Sequence, residues 1–328
     1  MKVLNQLGWQ HYLSKQGNQT DYTRLGRVRR VDRGEVDVLT EEGDLRVISD
    51  SQRTAVGLAP ATGDWVEVVN DPDVGFRIET ILPRYSAIIR RDPAEEEKEQ
   101  VLVSNIDFVG VTCSVDRPAN IAKIERFLIL AQDSGAKSLL LLTKVDQGLS
   151  KEWDQLLQQM KDVKTIQTSV YANEGIDQVR ELISSDRSLV LLGESGGGKS
   201  TLVNELVGEM VQETTEVRSR DSKGRHTTIA RDLILLPTGG VLIDTPGIRG
   251  IGLWDAKQAL DQVFSEISEF ASHCRFSDCT HQVEPDCAVR AAIQEGAIDQ
   301  QRLARYLRLT EELDEQEERL IRQRRKSK

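Results

Sequence analysis

The sequence predicts a multidomain chain: a small β-barrel first, an α/β core next, and a metal-stapled helical region last. Three observations predict it. Residues 24–82 read as short alternating strands separated by turn residues. From Ile106 onward, continuous apolar runs alternate with helical stretches, the pattern of a parallel sheet covered on both faces. Near the C-terminus, three of the four cysteines and one histidine fall within fourteen residues.

The barrel strands are read at Arg27–Val31, Glu35–Leu39, Asp64–Val69 and Phe76–Ile81, after a polar lead-in. Turns fall at Asp32-Arg33-Gly34, Glu42-Gly43-Asp44 and Asn70-Asp71-Pro72. The acidic run at Glu95–Glu99 reads as a solvated linker, which puts a boundary near residue 100. In the core, strands are expected at Phe108–Val115, Ser138–Thr143, Leu189–Leu192 and Val241–Ile243, with helices at Ile121–Gln132 and Ile176–Ile183. Past Ala259 the pattern is helical and closes in a long charged helix from about Ile298 to Arg325. The expected domains are 1–100, 101–255 and 256–328.

With 328 residues, 38% of them hydrophobic and 29% charged, the chain has the composition of a soluble globular protein. Its net charge of −10 excludes a general polyanion binder, so any nucleic-acid contact needs local basic patches. No stretch approaches the ~18 apolar residues of a membrane span, and the first residues lack a secretory pattern, so a cytoplasmic protein is expected.

Gly193-Glu194-Ser195-Gly196-Gly197-Gly198-Lys199-Ser200-Thr201 follows an apolar strand and opens a helix. It fits the phosphate-binding pattern G-x-x-x-x-G-K-[ST], in which glycines let backbone N–H groups turn toward phosphate oxygens. Lys199 is the expected partner of the β and γ phosphates, and Ser200 offers a hydroxyl to Mg²⁺. Asp244-Thr245-Pro246-Gly247 ends the strand Val241–Ile243; Asp244 fits a Mg²⁺ partner and Gly247 a pivot at the γ-phosphate. A base-reading element, Thr143-Lys144-Val145-Asp146, lies upstream of both. The Asp146 carboxylate can accept from guanine N1–H and the exocyclic amine, the Lys144 stem can lie across the base, and Ser169 can buttress it through its backbone. GTP and GDP are therefore the expected ligands.

Ordinary GTPases carry the base-reading motif after Asp-x-x-Gly, so this order indicates a circularly permuted P-loop α/β GTPase core. Barrel, permuted core and Cys/His tail together resemble the RsgA family of small-ribosomal-subunit-dependent GTPases over nearly the whole chain. Lys223-Gly224-Arg225-His226-Thr227-Thr228 is similar to that family's switch I, which implies Thr228, or its neighbour Thr227, as a Mg²⁺ ligand. Two departures stand out: Thr143 replaces the usual Asn, and Val170-Tyr171 follow Ser169. The resemblance implies GTP hydrolysis to GDP and phosphate, stimulated by the small ribosomal subunit during its late maturation, with that subunit and its rRNA as partners of a monomer. An rRNA-binding factor that is merely switched by GDP and GTP is the alternative.

Cys274-x₄-Cys279-x-His281-x₅-Cys287 fits one tetrahedral, structural Zn²⁺ with no open position, which makes the C-terminal part a zinc-binding helical domain. His273 is a competing ligand with awkward geometry, and Cys113 reads as a core residue. The barrel is expected to be OB-like, a fold that binds oligonucleotides. Arg24, Arg27, Arg29, Arg30 and Arg33 concentrate cations on its first strands, and Arg319, Arg322, Arg324, Arg325, Lys326 and Lys328 end the chain. The position after Asp-x-x-Gly is Ile248, which cannot orient a water molecule. His226 is the catalytic candidate, with the ribosome itself as the alternative.

Overall fold

The structure, a computed structural model, describes residues 2–17, 22–48, 59–91, 99–184, 186–208, 231–245, 253 and 256–326. Two short helices, α1 (Lys2–Gln6) and α2 (Trp9–Gln16), open the chain where a polar lead-in was expected. Their few apolar side chains are all used: Leu4, Leu7, Trp9 and Tyr12 are buried. The Trp9 ring stacks on Tyr12 at 5.2 Å and meets Trp65 at 4.9 Å. A helix this short is held by such tertiary contact and not by its own propensity.

Next come β1 (Leu25–Val31), β2 (Glu35–Thr40), β3 (Gly43–Ile48), β4 (Trp65–Asp71) and β5 (Gly75–Ile81). They close into a barrel in the order β1-β2-β3-β5-β4, with β4 returning to β1. Alternation puts Val28, Val36, Val38, Val47, Val66, Val68, Ile78 and Ile81 inside, a separate small core. β3 had no strand signal of its own in the sequence, because Leu45 and Val47 alone mark its inner face.

A hairpin of β6 (Ala87–Arg91) and β7 (Glu99–Ser104) straddles residue 100 and carries the chain from barrel to core. The core consists of β8 (Phe108–Ser114), α3 (Ile121–Asp133), β9 (Lys137–Thr143), α4 (Lys151–Gln159), β10 (Thr165–Thr168), α5 (Ile176–Ile183), β11 (Ser188–Leu192), α6 (Lys199–Val207), β12 (Asp232–Leu235) and β13 (Val241–Asp244). Its sheet runs β10-β9-β8-β11-β13-β12, parallel except for the antiparallel edge strand β12. The apolar runs are buried on both faces: Leu139 and Leu141 pack with α5 and α6, whereas Leu140 and Leu142 pack with α3 and α4. The tail follows as α7 (Lys257–Val263), α8 (Ser265–Ala271), α9 (Ala288–Gln294) and the 27-residue α10 (Gln300–Lys326).

The tail shares one apolar core with α3, in which Leu260, Phe264, Leu309 and Leu313 cluster with Ile129 and Leu130, and it is keyed to that helix by charge. Glu125, fully buried on α3, accepts from Arg302 Nη1 at 3.0 Å and Arg305 Nε at 2.7 Å. Arg302 also donates to Glu266 and lies 4.4 Å from the Phe264 ring centroid. Outside this group, Arg126 forks onto Glu312 at 2.7 and 2.6 Å, and Lys257 meets Asp314 and Glu317.

The barrel joins the core through a polar seam. Arg27, read from sequence as a surface cation, is buried instead. Its guanidinium donates to the carbonyls of Gly63 at 3.2 Å, Asn105 at 2.8 Å and Leu7. One side chain thus satisfies three carbonyls from the N-terminal helices, the barrel and the start of the core. Beside it, buried Asp64 accepts from Arg84 and from Ser104 Oγ, each at 2.6 Å. Arg27→Ala should lower folding stability by about 2 kcal/mol, because the Leu7 carbonyl loses its side-chain donor and those of Gly63 and Asn105 are left with Asn105 Nδ2 and with the Tyr85 and Ser188 hydroxyls. Urea unfolding measures this, and a loss below about 1 kcal/mol would show that water replaces the guanidinium.

Candidate functional site

The parallel strands deliver their C-terminal ends to one edge of the sheet, where α/β folds hold ligands. The glycine-rich loop begins there. Gly193 has φ +143°, and a Cβ on it would lie 2.3 Å from the Thr112 carbonyl oxygen of β8, so no other residue fits. Gly197 N–H donates to the Glu194 carbonyl at 3.2 Å, curling the loop into the first turn of α6. Lys199 Nζ reaches back to the carbonyls of Gly193 at 2.8 Å and Glu194 at 2.6 Å, which holds the ammonium across the loop. Ser200 is half-buried and Thr201 exposed in that first turn.

The upstream motif converges on the same place. Thr143 ends β9 level with Ser114 of β8 and Thr168 of β10. Its hydroxyl donates to the Gly197 carbonyl at 3.0 Å, so the residue expected at the base edge here touches the phosphate loop. Gly198 answers on the other side: with φ +84°, a Cβ there would come within 2.7 Å of Thr143 Oγ1. Lys144 takes a left-handed conformation, φ +60°, and starts the 3₁₀ turn Val145–Gln147 that presents Asp146. Ser169 follows β10, and its hydroxyl donates to Asp146 Oδ1 at 2.5 Å while accepting from Ala172 N–H at 3.0 Å. The serine therefore aims the carboxylate through its side chain, where a backbone role had been expected.

Asp244 ends β13, whose Ile243 pairs with Val190, placing the carboxylate beside the start of the glycine loop. Thr245 Oγ1 donates to the Leu191 carbonyl at 3.2 Å. His226, Thr227, Thr228, Gly247 and Ile248 lie outside the described residues.

Pattern reading passed over the loop between β8 and α3. Asp116 Oδ2 accepts from Lys144 Nζ at 2.6 Å, and the hydrogen bond from that ammonium holds the Asp116 carboxyl below the usual carboxylate range. Arg117 Nη1 donates to the Ser195 carbonyl at 3.1 Å, and Lys123 on α3 pairs with Glu194. The available signal was position alone: this loop follows a central strand of a parallel sheet at its ligand edge. Cys113 lines the pocket between the two loops; burial pushes its thiol up to about 12, which makes it inert.

In the tail, the ligand atoms of Cys274, Cys279, His281 and Cys287 all lie within 4.8 Å of one another, an arrangement that could hold a metal ion. His273 stands outside the group, exposed, with Nδ1 3.0 Å from the Glu269 carbonyl. On the barrel, the arginines already have acidic partners: Arg24 with Glu42, Arg29 with Asp44 and Asp232, and Arg30 with Asp32. The expected basic stripe is thus largely neutralised within the chain.

A phosphate loop, a guanine-type motif and an Asp-x-x-Gly strand, assembled from permuted segments on one sheet edge, define a circularly permuted P-loop GTPase. The RsgA GTPase family matches residues 81–254. A Streptomyces coelicolor protein named "Small ribosomal subunit biogenesis GTPase RsgA" is 44% identical, over 88% of this chain and 80% of its own length. One of the same name from Methanosarcina acetivorans is 40% identical, over 79% and 71%. Among solved structures, YjeQ from Thermotoga maritima aligns with TM-score 0.63 at 25% identity, covering 88% of this chain and 98% of that one. YloQ, described as a circularly permuted GTPase, aligns at 0.62 with 20% identity over 91% and 98%, a likeness of fold. The chain belongs to the RsgA GTPase family, and it is a GTP hydrolase.

Asp146→Asn should weaken GTP by about 10²-fold, the worth of two hydrogen bonds to a charged acceptor. It should also raise the affinity for xanthosine triphosphate, whose C2 carbonyl accepts from an amide. Competition titrations check both, and a parent protein that binds ATP as well as GTP contradicts the assignment of Asp146.

Proposed function

We propose that this chain hydrolyses GTP to GDP and phosphate on the small ribosomal subunit during its late maturation, and that the subunit stimulates the reaction. The observation that carries the reading is the meeting of Thr143 and Gly197, which joins a guanine-selective motif to a phosphate loop in one site. The names of the 44% and 40% identical relatives supply the subunit as partner. The proposed division of labour is rRNA contact by residues 1–100, nucleotide chemistry by 101–255 and docking by the metal-stapled residues 256–328.

In this reading, the backbone of Gly193–Thr201 and the Lys199 ammonium receive the phosphates, while Lys144, Asp146 and Ser169 receive the base. Ser200 and Thr228 would hold Mg²⁺, with Asp244 beside them; the hydroxyl of the helix-opening serine and a carboxylate at the adjacent strand end are donors suited to a hard cation. Bound there, the ion would neutralise charge developing on the β and γ phosphates. Gly247 serves as the γ-phosphate pivot. His226 orients the attacking water, because Ile248 follows Asp-x-x-Gly and offers no hydrogen bond.

The tail metal is zinc. A tetrahedral Cys₃His site at Zn–S of about 2.3 Å and Zn–N of about 2.0 Å needs S···S near 3.8 Å and S···N near 3.5 Å. Cys274 Sγ lies 3.9 Å from Cys287 Sγ, and His281 Nδ1 lies 3.6 and 3.5 Å from those two sulfurs. Four protein ligands fill the coordination sphere, so the role is structural.

Since barrel arginines are paired within the chain, rRNA phosphates would have to compete for them, or use exposed Arg33 and the basic end of α10. No described helix is long and apolar enough to cross a membrane. The proposed reading is of a cytoplasmic monomer acting on ribosomes.

Multiple-turnover phosphate release with and without small subunits tests the main reading; equal rates would favour the switched rRNA-binding factor. In the same assay His226→Ala should cut stimulated turnover by roughly 10²-fold, leaving GTP and GDP affinity nearly unchanged. Unimpaired turnover would assign the water to the ribosome. Cys279→Ser should lose one zinc per chain and loosen the tail while sparing nucleotide affinity. Elemental analysis of the parent that finds no zinc would refute the staple.

A further inference from the structure

Lys144 is unusual among the site residues because both its backbone and its ammonium are held, the latter by a carboxylate that is itself held. Its backbone sits in the left-handed region, φ +60°, imposed by the turn that ends β9. Its ammonium is held 2.6 Å from Asp116 Oδ2. The other oxygen of that carboxylate accepts from Ser114 Oγ, also at 2.6 Å, so Asp116 is itself oriented by the last residue of β8. Downstream, Trp153 Nε1 donates to the Arg117 carbonyl at 2.9 Å and pins the loop that carries Asp116 to α4.

A bare surface ion pair would deserve little weight, since the cost of ordering two side chains cancels most of the attraction. Here the carboxylate is ordered independently of the lysine by Ser114 and by the pinned loop. The remaining freedom lost is that of the lysine stem, and it is lost before any nucleotide arrives. Ordering a long side chain at a binding site is among the main costs of association, and a site that has already met it binds more tightly.

We propose that Asp116 is a positioning residue for guanine-nucleotide recognition, acting by holding the Lys144 stem in place beside Asp146. The inference rests on the reading of Lys144 and Asp146 as the base-recognition pair. It adds a residue from the β8–α3 loop that belongs to none of the nucleotide motifs. Because the lysine stem meets the face of the base and Asp146 reads its edge, the effect of Asp116 is indifferent to the exocyclic amine. Inosine diphosphate, which lacks that amine, must feel the loss of Asp116 as strongly as GDP does.

The test measures GDP, inosine diphosphate and ADP affinity by calorimetry on the full chain and on Asp116→Ala, Asp116→Asn, Lys144→Ala and the Asp116→Ala/Lys144→Ala double variant. Asp116→Ala should weaken GDP and inosine diphosphate alike, by about tenfold. Asp116→Asn, which keeps an acceptor of the same shape, should fall between parent and alanine. In the Lys144→Ala background the Asp116 substitution should cost less than about twofold, because its route to the ligand is gone. An equal loss in both backgrounds shows that Asp116 acts through the fold and overturns the proposal, as does unchanged GDP affinity in Asp116→Ala. A parent chain that binds ADP as well as GDP overturns the guanine reading itself, and this proposal with it.

Discussion

The site depends on one short contact, the hydrogen bond from the Thr143 hydroxyl to the Gly197 carbonyl. The two residues are separated by 54 positions, one ending β9 and the other in the loop after β11, and those strands do not touch, since β8 lies between them. For the bond to form, the loops after β9 and β11 must lean toward each other over the end of β8. Glycine makes this possible on both sides. Gly193 lets the phosphate loop press against the Thr112 carbonyl, and Gly198 leaves room for the Thr143 side chain. A β-carbon at Gly193 would push the phosphate loop off the end of β8, and one at Gly198 would push it off the Thr143 side chain. A base bound at one loop and its phosphates bound at the other span a fixed length, so such a shift misplaces one of them.

Strand order in space, and not order along the chain, sets this geometry, which is why permutation costs the site nothing. The connections between the sheet's parallel strands from β8 to β11 each pass over a face through a helix, so new ends can be opened wherever a connection was exposed. The ends chosen here have consequences. The core is entered through the β6–β7 hairpin beside the Arg27 and Asp64 seam, at the end of the sheet away from the nucleotide edge. It is left just past Asp244, at the nucleotide edge itself. The barrel nonetheless reaches the front of the molecule, because Arg29 Nε donates to Asp232 at 3.0 Å where β12 begins.

Much of this was legible in the sequence wherever one strong pattern decided the outcome. Helices α3 and α5 and the four central strands were readable because a doubly covered sheet writes unbroken apolar runs. The glycine loop and the Cys/His group were readable because their chemistry demands fixed spacings. What escaped was decided by distant partners. Helices α1 and α2 bury too few apolar side chains to show a period, and they exist because Trp65 and Tyr85 are there to receive them. Arg27 carries the same charge as Arg29 and Arg30, yet only the three carbonyls that converge on it make it an interior residue. Asp116 has no motif to announce it, since its role depends on where a lysine 28 residues later comes to lie. Ser169 was expected to act through its backbone, whereas its hydroxyl bond to Asp146 is a fact of side-chain direction that no spacing shows.

The attachment of the tail shows how such an assembly resists slipping into other arrangements. The apolar core that α3 shares with the tail holds the two together, and the buried ions add little net attraction, since desolvating Glu125 and Arg302 offsets much of it. Burial indeed pushes the Glu125 carboxyl up, even against two arginines. Ions, however, tolerate no sliding: moving α10 by one turn would strand Glu125 without a donor and expose its charge to the core, at a cost far above that of misaligned leucines. Arg126 with Glu312 and Lys257 with Asp314 repeat the constraint further along the same helix. Helix α3, capped by Asn120, starts directly after the loop that carries Asp116 and Arg117, and its first turn sends Lys123 to Glu194 of the phosphate loop. Since one rigid element bears both sets of contacts, the register of the tail and the seat of the phosphate loop are set together.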